Sequence, residues 1–216
     1  PLVLKELQKL CDAVEPVADA VALQVIRDEL GTADLNTVFD NLQMVASASL
    51  GQVYKGKLKS TGAEVAVKVQ RPNMRKQFSL DLYLLQHIGV AVDLFTSIFT
   101  NQPPFHKPLY ESFASGSYAE MDYEQEATNQ IRFKHELAER KVPVVIPTVY
   151  EDFTTEKVLT SQWIDGVKLA DSSKERIRQL IPVGVELFLT QLLDIGAFHA
   201  GMHVTSVPTF FFLKCD

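Results

Sequence analysis

Residues 44–72 read MVASASLGQVYKGKLKSTGAEVAVKVQRP, and the fold turns on how this stretch alternates. Gln52 to Leu58 alternates polar and apolar, as a half-buried strand does. Lys59-Ser60-Thr61-Gly62 forms a turn, with glycine where positive φ costs little. Glu64 to Gln70 alternates again. Val65, Val67 and Val69 fall on one face, Ala66, Lys68 and Gln70 on the other. Ahead of this hairpin, Ala46-Ser47-Ala48-Ser49-Leu50-Gly51 carries small side chains throughout. Such a turn lets backbone N–H groups approach phosphates. The lysine of Val65-Ala66-Val67-Lys68 suits pairing with the α- and β-phosphates of a nucleotide. Taken alone, the tetrapeptide also fits an ordinary lysine on an exposed strand face.

The 216 residues can bury a core in one domain or a two-lobed one. A net charge of −6 argues against broad nucleic-acid binding. Two cysteines, Cys11 and Cys215, give neither a disulfide framework nor metal-ligand spacing, which fits a reducing compartment. No signal or transit peptide is legible, and the first residue is Pro1, which leaves an upstream targeting segment open. No transmembrane span is expected. The longest apolar region, Ile88 to Phe99, is interrupted by Asp93 and is short of the ~20 residues a span needs.

Leu2, Leu4, Leu7, Leu10 and Val14 recur at helical spacing over residues 2–13. A second helix is expected from Pro16 to Leu30, with Val17, Val21, Val25 and Ile26 inward and Gly31 as C-cap. Leu35 to Phe39 reads as a short helix leading into the first strand. Met74 to about Phe99 is a long helix with Leu80, Leu84, Ile88 and Val92 every fourth residue, ended at Asn101-Gln102-Pro103-Pro104. One further helix is expected from about Leu109 to Arg140. It contains the acidic run Glu120 to Glu126, which by charge alone also fits a solvated face. Val144–Tyr150 and Val158–Ile164 read as strands completing a five-stranded antiparallel sheet. A last helix spans 173–199, kinked or divided at Pro182 and Gly184.

Ala-Ser-x-Gly-Gln-Val-Tyr followed by Val-Ala-Val-Lys-Val-Gln-Arg-Pro resembles the UbiB-like (aarF) atypical kinase family, in which an alanine-rich loop replaces the glycine-rich one. The resemblance covers roughly residues 1 to 203. It implies an α+β, protein-kinase-like small lobe with extra family helices and only the first helices of the large lobe. The expected division is an N-terminal helical extension (1–42), the small lobe (43–164, with an inserted helix at 73–99), the start of the large lobe (165–203) and a divergent tail (204–216). It implies ATP or ADP as ligand, with Ala46, Ser47, Ala48, Ser49, Val53, Lys68, Glu126, Gln162 and Ile164 around it. Glu126 is the expected partner of Lys68. Ser161 is the gatekeeper, and Gln162 to Ile164 the hinge, although Trp163 also reads as a core anchor. Glu120 and Asp122 match the family's Glu-x-Asp motif, and Asn129 and Arg132-Phe133 match its pattern. The family's Lys-x-Gly-Gln motif would lie upstream of Pro1. The resemblance further implies ATPase or phosphotransferase support of coenzyme Q or other prenyl-lipid metabolism. Membrane lipids or lipid-biosynthesis proteins are the implied partners, at mitochondrial or plastid membranes.

The chain departs from this family near its end. Where the family has His-Ala-Asp-Pro-His-Pro-Gly-Asn, this chain reads His199-Ala200-Gly201-Met202-His203-Val204-Thr205-Ser206. Gly201 replaces the catalytic base and Ser206 the metal-binding Asn, and the Asp-Phe-Gly segment does not follow, so the Mg²⁺ site expected of the full-length family is incomplete. Residues 204–216 resemble nothing in the family and read as an altered frame, an alternative exon or a gene-model error. The apolar helix Ile177 to Phe198 is expected to lack its usual cover, with Phe210 to Leu213 folding back onto it or leaving a sticky patch. His199 and His203 have the i, i+4 spacing of a helical metal pair, but no third ligand is near in sequence, so no metal site is expected. The readings left open are an incomplete enzyme, a noncatalytic nucleotide-binding scaffold and a nonfunctional truncated product.

Overall fold

The computed structural model describes residues 16–48, 50–100, 103–104, 106–166 and 172–196, and the backbone of 212–213. The helix expected at 2–13, Ser49, His199 to Ser206 and most of the tail lie outside the described residues.

Four antiparallel strands form the central sheet: β1 (Phe39–Ser47), β2 (Gly51–Leu58), β3 (Glu64–Gln70) and β5 (Val158–Gln162), in that spatial order. The expected alternation of β3 is present, and both of its faces are covered. Val65, Val67 and Val69 lie in a core with Phe39, Tyr54, Leu58 and Val158, closed by Ala22 and Ile26 of helix α1 (Asp19–Leu30). Gly62 takes φ 70° in the hairpin turn, and Gly31 takes φ 62° and closes α1 through its N–H to the Arg27 carbonyl. Ala22 rather than Val21 points inward, and Val21 is 43% exposed. Ala22 and Ile26 are one turn apart, so the helix seats its small residue on the sheet and rotates the neighbouring valine out. The expected helix over Leu35–Phe39 is a single 3₁₀ turn, Leu35–Thr37, capped by the Asp34 carboxylate.

The expected fifth strand of the sheet is absent among the described residues. From 144 to 150, β4 (Val144–Val145) pairs instead with β6 (Phe212–Leu213), and Val149 makes one bridge to Ser161. Pro147 has no N–H to donate to a ladder. Its carbonyl instead accepts from the buried side chain of Gln130, so Val144 and Ile146 are drawn into a second core with Phe133, Leu137, Val142 and Leu187, while Thr148 to Tyr150 stays beside β5, with the Tyr150 N–H on the Thr160 carbonyl at 2.9 Å.

Helix α2 (Met74–Phe99) has the expected bounds but not the expected burial. Leu80, Leu84, Ile88 and Val92 are 59%, 52%, 59% and 42% exposed, and of its described residues only Leu82 is buried. At 26 residues it is long and apolar enough to cross a membrane by length and composition alone. This corrects the sequence expectation, because Asp93 does not interrupt the helix. It turns toward helix α3 (His106–Glu120), where its carboxylate meets His106 Nδ1 at 2.9 Å.

The single helix expected from Leu109 to Arg140 is two, α3 and α4 (Tyr123–Glu139), broken at Met121-Asp122. Two tertiary bonds fix the break: the Met121 carbonyl accepts from the buried Gln70 side chain at 2.8 Å, and the Tyr123 N–H donates to the Glu156 carbonyl at 3.0 Å. Helix α5 (Lys174–Leu189) runs through Pro182 and Gly184 undivided and passes into a π-helical turn, Thr190–Ile195, ended by Gly196 at φ 67°. Leu180 and Leu187 are buried, whereas Ile181, Leu189, Leu192 and Leu193 are exposed.

Candidate active site

Cross-strand partners share a face of a sheet, so register alone assembles the centre of the site. Ala46 pairs with Val53, Val53 with Lys68, and Lys68 with Leu159. These residues make one row across all four strands, on the face opposite the valine core. A second row on that face runs Lys55, Ala66, Ser161. Helix α4 covers part of it, with Tyr123 and Ala127 packed on Leu159.

Above this row α4 delivers Glu126. Lys68 Nζ lies 2.8 Å from Glu126 Oε1 and 2.7 Å from Oε2, a bidentate pair with side chains 26% and 14% exposed. The ammonium also stands 4.4 Å from the centroid of the Tyr123 ring, a cation–π contact. The expected Lys68–Glu126 pairing is therefore present. The break in the helix makes it possible: α4 starts at Tyr123, with the Asp122 carboxylate accepting the Gln125 N–H at 3.0 Å as its N-cap. Asp122 is thus occupied as a helix cap, and Glu120 is an exposed residue at the end of α3.

The small-residue turn is held beside this row. Ala48 N–H donates to the Gly51 carbonyl at 2.8 Å. Arg71, just after β3, donates from Nε to the Ala48 carbonyl at 3.1 Å and from Nη2 to Ser47 Oγ at 2.8 Å. At the other end of the face, Gln162 ends β5 exposed, its N–H on the Thr148 carbonyl at 2.8 Å, and Ile164 is half-buried. Trp163 is also half-buried rather than a core anchor. Lys55 Nζ lies 4.7 Å from its ring centroid, and its indole N–H donates to Asp165 at 2.8 Å.

Three residues that organise the site were not legible as such. Gly51 lets β2 approach the backbone of β3 and Tyr123 closely: an added Cβ would sit 2.4 Å from the Val69 oxygen and 2.8 Å from the Tyr123 hydroxyl. Tyr123 carries no sequence signal of its own, although Asp122-x-x-Gln125 is a capping pattern that would have located the start of α4. Arg71 follows from register, since Gly51 opposes Gln70 and the next residue must lie beside the turn.

Burial pushes the Tyr123 hydroxyl well above the usual tyrosine range, and the Glu126 charge adds to it. Tyr54, on the opposite face, is raised by burial and by its hydrogen bond to Asp19, at 2.8 Å. Both stay protonated in the folded chain after an unfolded tyrosine, titrating near pH 10, has lost its proton. Their contribution to stability is whole below about pH 10 and is lost as pH rises above it. Denaturant unfolding followed across that range is expected to show this fall, and Tyr54→Phe/Tyr123→Phe to flatten it. Tyr123→Phe alone is expected to be neutral or stabilising by about 1 kcal/mol, because its buried hydroxyl has no hydrogen-bond partner among the described residues.

A family model described as the ABC1 atypical kinase-like domain matches residues 9–207. The chain is 38% identical over 210 residues to the chloroplastic ACTIVITY OF BC1 COMPLEX KINASE 3 of Arabidopsis thaliana, covering 94% of this chain and 29% of that protein. It is 32% identical over 214 residues to the probable protein kinase UbiB of Vibrio cholerae, covering 96% of this chain and 39% of that one. The chain thus spans well under half the length of these relatives. With the family model matched along most of its length and a lysine–glutamate pair across a small antiparallel sheet, the chain belongs to the ABC1 atypical kinase-like family, which takes in the UbiB and aarF-domain kinases.

Proposed function

We propose that this chain binds ATP or ADP on the Ala46–Val53–Lys68–Leu159 face of its sheet. The observation that carries the reading is the Lys68–Glu126 pair, set in line with Val53 and next to a turn of small residues. A phosphate needs backbone N–H groups that can be approached closely and a cation held in place. The connection between the end of β1 at Ser47 and the start of β2 at Gly51 is the expected source of the first, and Glu126 orients the second. The base stacks over Val53 and pairs with the Gln162 carbonyl and Ile164 N–H.

Among the described residues no three acidic, histidine or cysteine side chains converge to hold a metal, and Asp122 is engaged as a helix cap. The position of the family's metal-binding Asn holds Ser206 here, and on that ground affinity in this chain is expected to depend little on Mg²⁺. Position 201, where the family pattern carries its catalytic aspartate, is glycine and supplies no carboxylate. We infer that this chain by itself does not transfer phosphoryl groups and acts as a nucleotide-binding module. Relatives named as chloroplastic kinases support a plastid location, and the likeness to a kinase named UbiB is the ground for proposing support of coenzyme Q or other prenyl-lipid metabolism.

Calorimetric titration with ADP and ATP, with and without Mg²⁺, tests the reading. Weak binding is expected, about equal in the two conditions and lowered about tenfold or more by Lys68→Ala, which removes one charge-assisted hydrogen-bonding group. No binding, or an unaffected variant, would reject the site. ATP turnover abolished by Lys68→Ala would reject the noncatalytic part.

A further inference from the structure

We propose that Gln70 is a positioning residue for the nucleotide site: it pins the start of α4, so that Glu126 and no neighbouring residue comes to face Lys68. Its effect on nucleotide affinity rests on the binding reading above; its effect on the Lys68–Glu126 pair does not.

Alternation along β3 puts Ala66, Lys68 and Gln70 on one face. Lys68 is the residue of that face that meets Glu126. Gln70 is 5% exposed, and a buried amide needs partners for its polar groups. Its Nε2 donates to the Met121 carbonyl at 2.8 Å, at the break between α3 and α4. Two further bonds join the same region. The Gln70 N–H donates to the Lys157 carbonyl at 2.9 Å, and the Tyr123 N–H to the Glu156 carbonyl at 3.0 Å. The end of β3, the start of α4 and the turn before β5 are thus closed into a ring by three hydrogen bonds. Within it, the Gln70 side chain ties β3 directly to the break.

Fixing that point decides what Lys68 meets. Gln70 lies two residues past Lys68, ~7 Å along the strand. Glu126 lies three residues past Tyr123, ~4.5 Å along the helix. Each residue turns a helix by ~100°, so a slip of one would bring Gln125 or Ala127 toward Lys68 in place of Glu126. The other carboxylate of the first turn, Glu124, is exposed. The ion pair cannot hold this register by itself, because both side chains are long and have many rotamers. The Gln70 bond goes to main chain and carries the whole helix start with it. Farther along α4, the buried Gln130 donates to the Pro147 carbonyl at 2.8 Å. The helix therefore stays attached when the Gln70 bond is removed, and only its start is freed.

Double-mutant cycles and ADP titration of the whole chain test this. Gln70→Met keeps the length of the side chain and Gln70→Leu roughly its volume; both remove the donor. Either is expected to bind ADP about tenfold more weakly than the wild type. Either is also expected to cut the coupling between Lys68→Met and Glu126→Leu, read from urea unfolding without nucleotide, to less than about half. Thr160→Val is the control. It loses a buried hydroxyl bonded to the Phe153 carbonyl at 2.7 Å, on the other face of the sheet, where Thr160 opposes Val67. It is expected to lower stability while keeping the coupling and, within about twofold, the ADP affinity. A glutamine that served the fold alone would lower stability and leave both readouts in place. The proposal is overturned if the Gln70 variants keep the wild-type coupling, or if Thr160→Val weakens the pair as much as they do. It is also overturned if neither Gln70 variant folds, which would make the residue part of the fold and not of the site. A wild type that binds no ADP would remove the nucleotide reading by itself, and the coupling would still decide what Gln70 does.

Discussion

Gly51→Ala is expected to cost about 3 kcal/mol of folding stability, at the upper end for overpacking a well-filled interior. The added Cβ would meet the Val69 carbonyl oxygen at 2.4 Å, and that oxygen belongs to β3, which is paired on both sides and has nowhere to move. The Tyr123 hydroxyl at 2.8 Å blocks the other direction. Gly56→Ala is the internal comparison. Its Cβ meets Leu42 Cδ2 at 2.8 Å, the far end of a flexible side chain, so the cost is expected to be about 1 kcal/mol. Urea unfolding of both variants measures the difference. Equal midpoints would mean that β2 and Tyr123 do not approach as described. Because Gly51 also accepts the Ala48 N–H, its variant is expected to weaken ADP binding along with stability, whereas Gly56→Ala leaves binding intact.

Glu126→Ala is expected to cost about 2 kcal/mol. A fully buried pair broken on one side costs more, but Lys68 is 26% exposed and water recovers part of the loss. Lys68→Met/Glu126→Leu, which removes both charges and keeps most of the volume, is expected to recover much of the stability. The double-mutant cycle is expected to show a coupling of about 1–2 kcal/mol; a coupling near zero would mean the pair is not formed in solution. Nucleotide affinity separates the two roles: the apolar double variant is expected to be stable and unable to bind ADP. A stable double variant that still binds would show that Lys68 holds the helix and not a phosphate.

The sequence alone determined the hairpin, the turn at Gly62, the end of α1 at Gly31 and the limits of α2, because each rests on local periodicity or on a glycine that tolerates positive φ. Through the resemblance of its motifs, it also paired Lys68 with Glu126. What lay beyond its reach was decided by partners distant in the chain. The break at Met121-Asp122 contains no glycine or proline; the Asp122-x-x-Gln125 capping pattern marks only where α4 begins, and the bonds that separate it from α3 come from Gln70 and Glu156. The stretch from Val144 to Tyr150 has the composition of a sheet strand, yet its first half is claimed by the second core, with Pro147 held by Gln130, and only Thr148 to Tyr150 lies beside β5. Ala22 rather than Val21 lies inward because it shares the helix face of Ile26, one turn away, which packs in the core. Most of all, periodicity identified α2 as an apolar helix but not whether protein would cover it. A helical repeat records that apolar side chains recur, and only the tertiary structure shows that α3 covers one narrow side and leaves the rest bare.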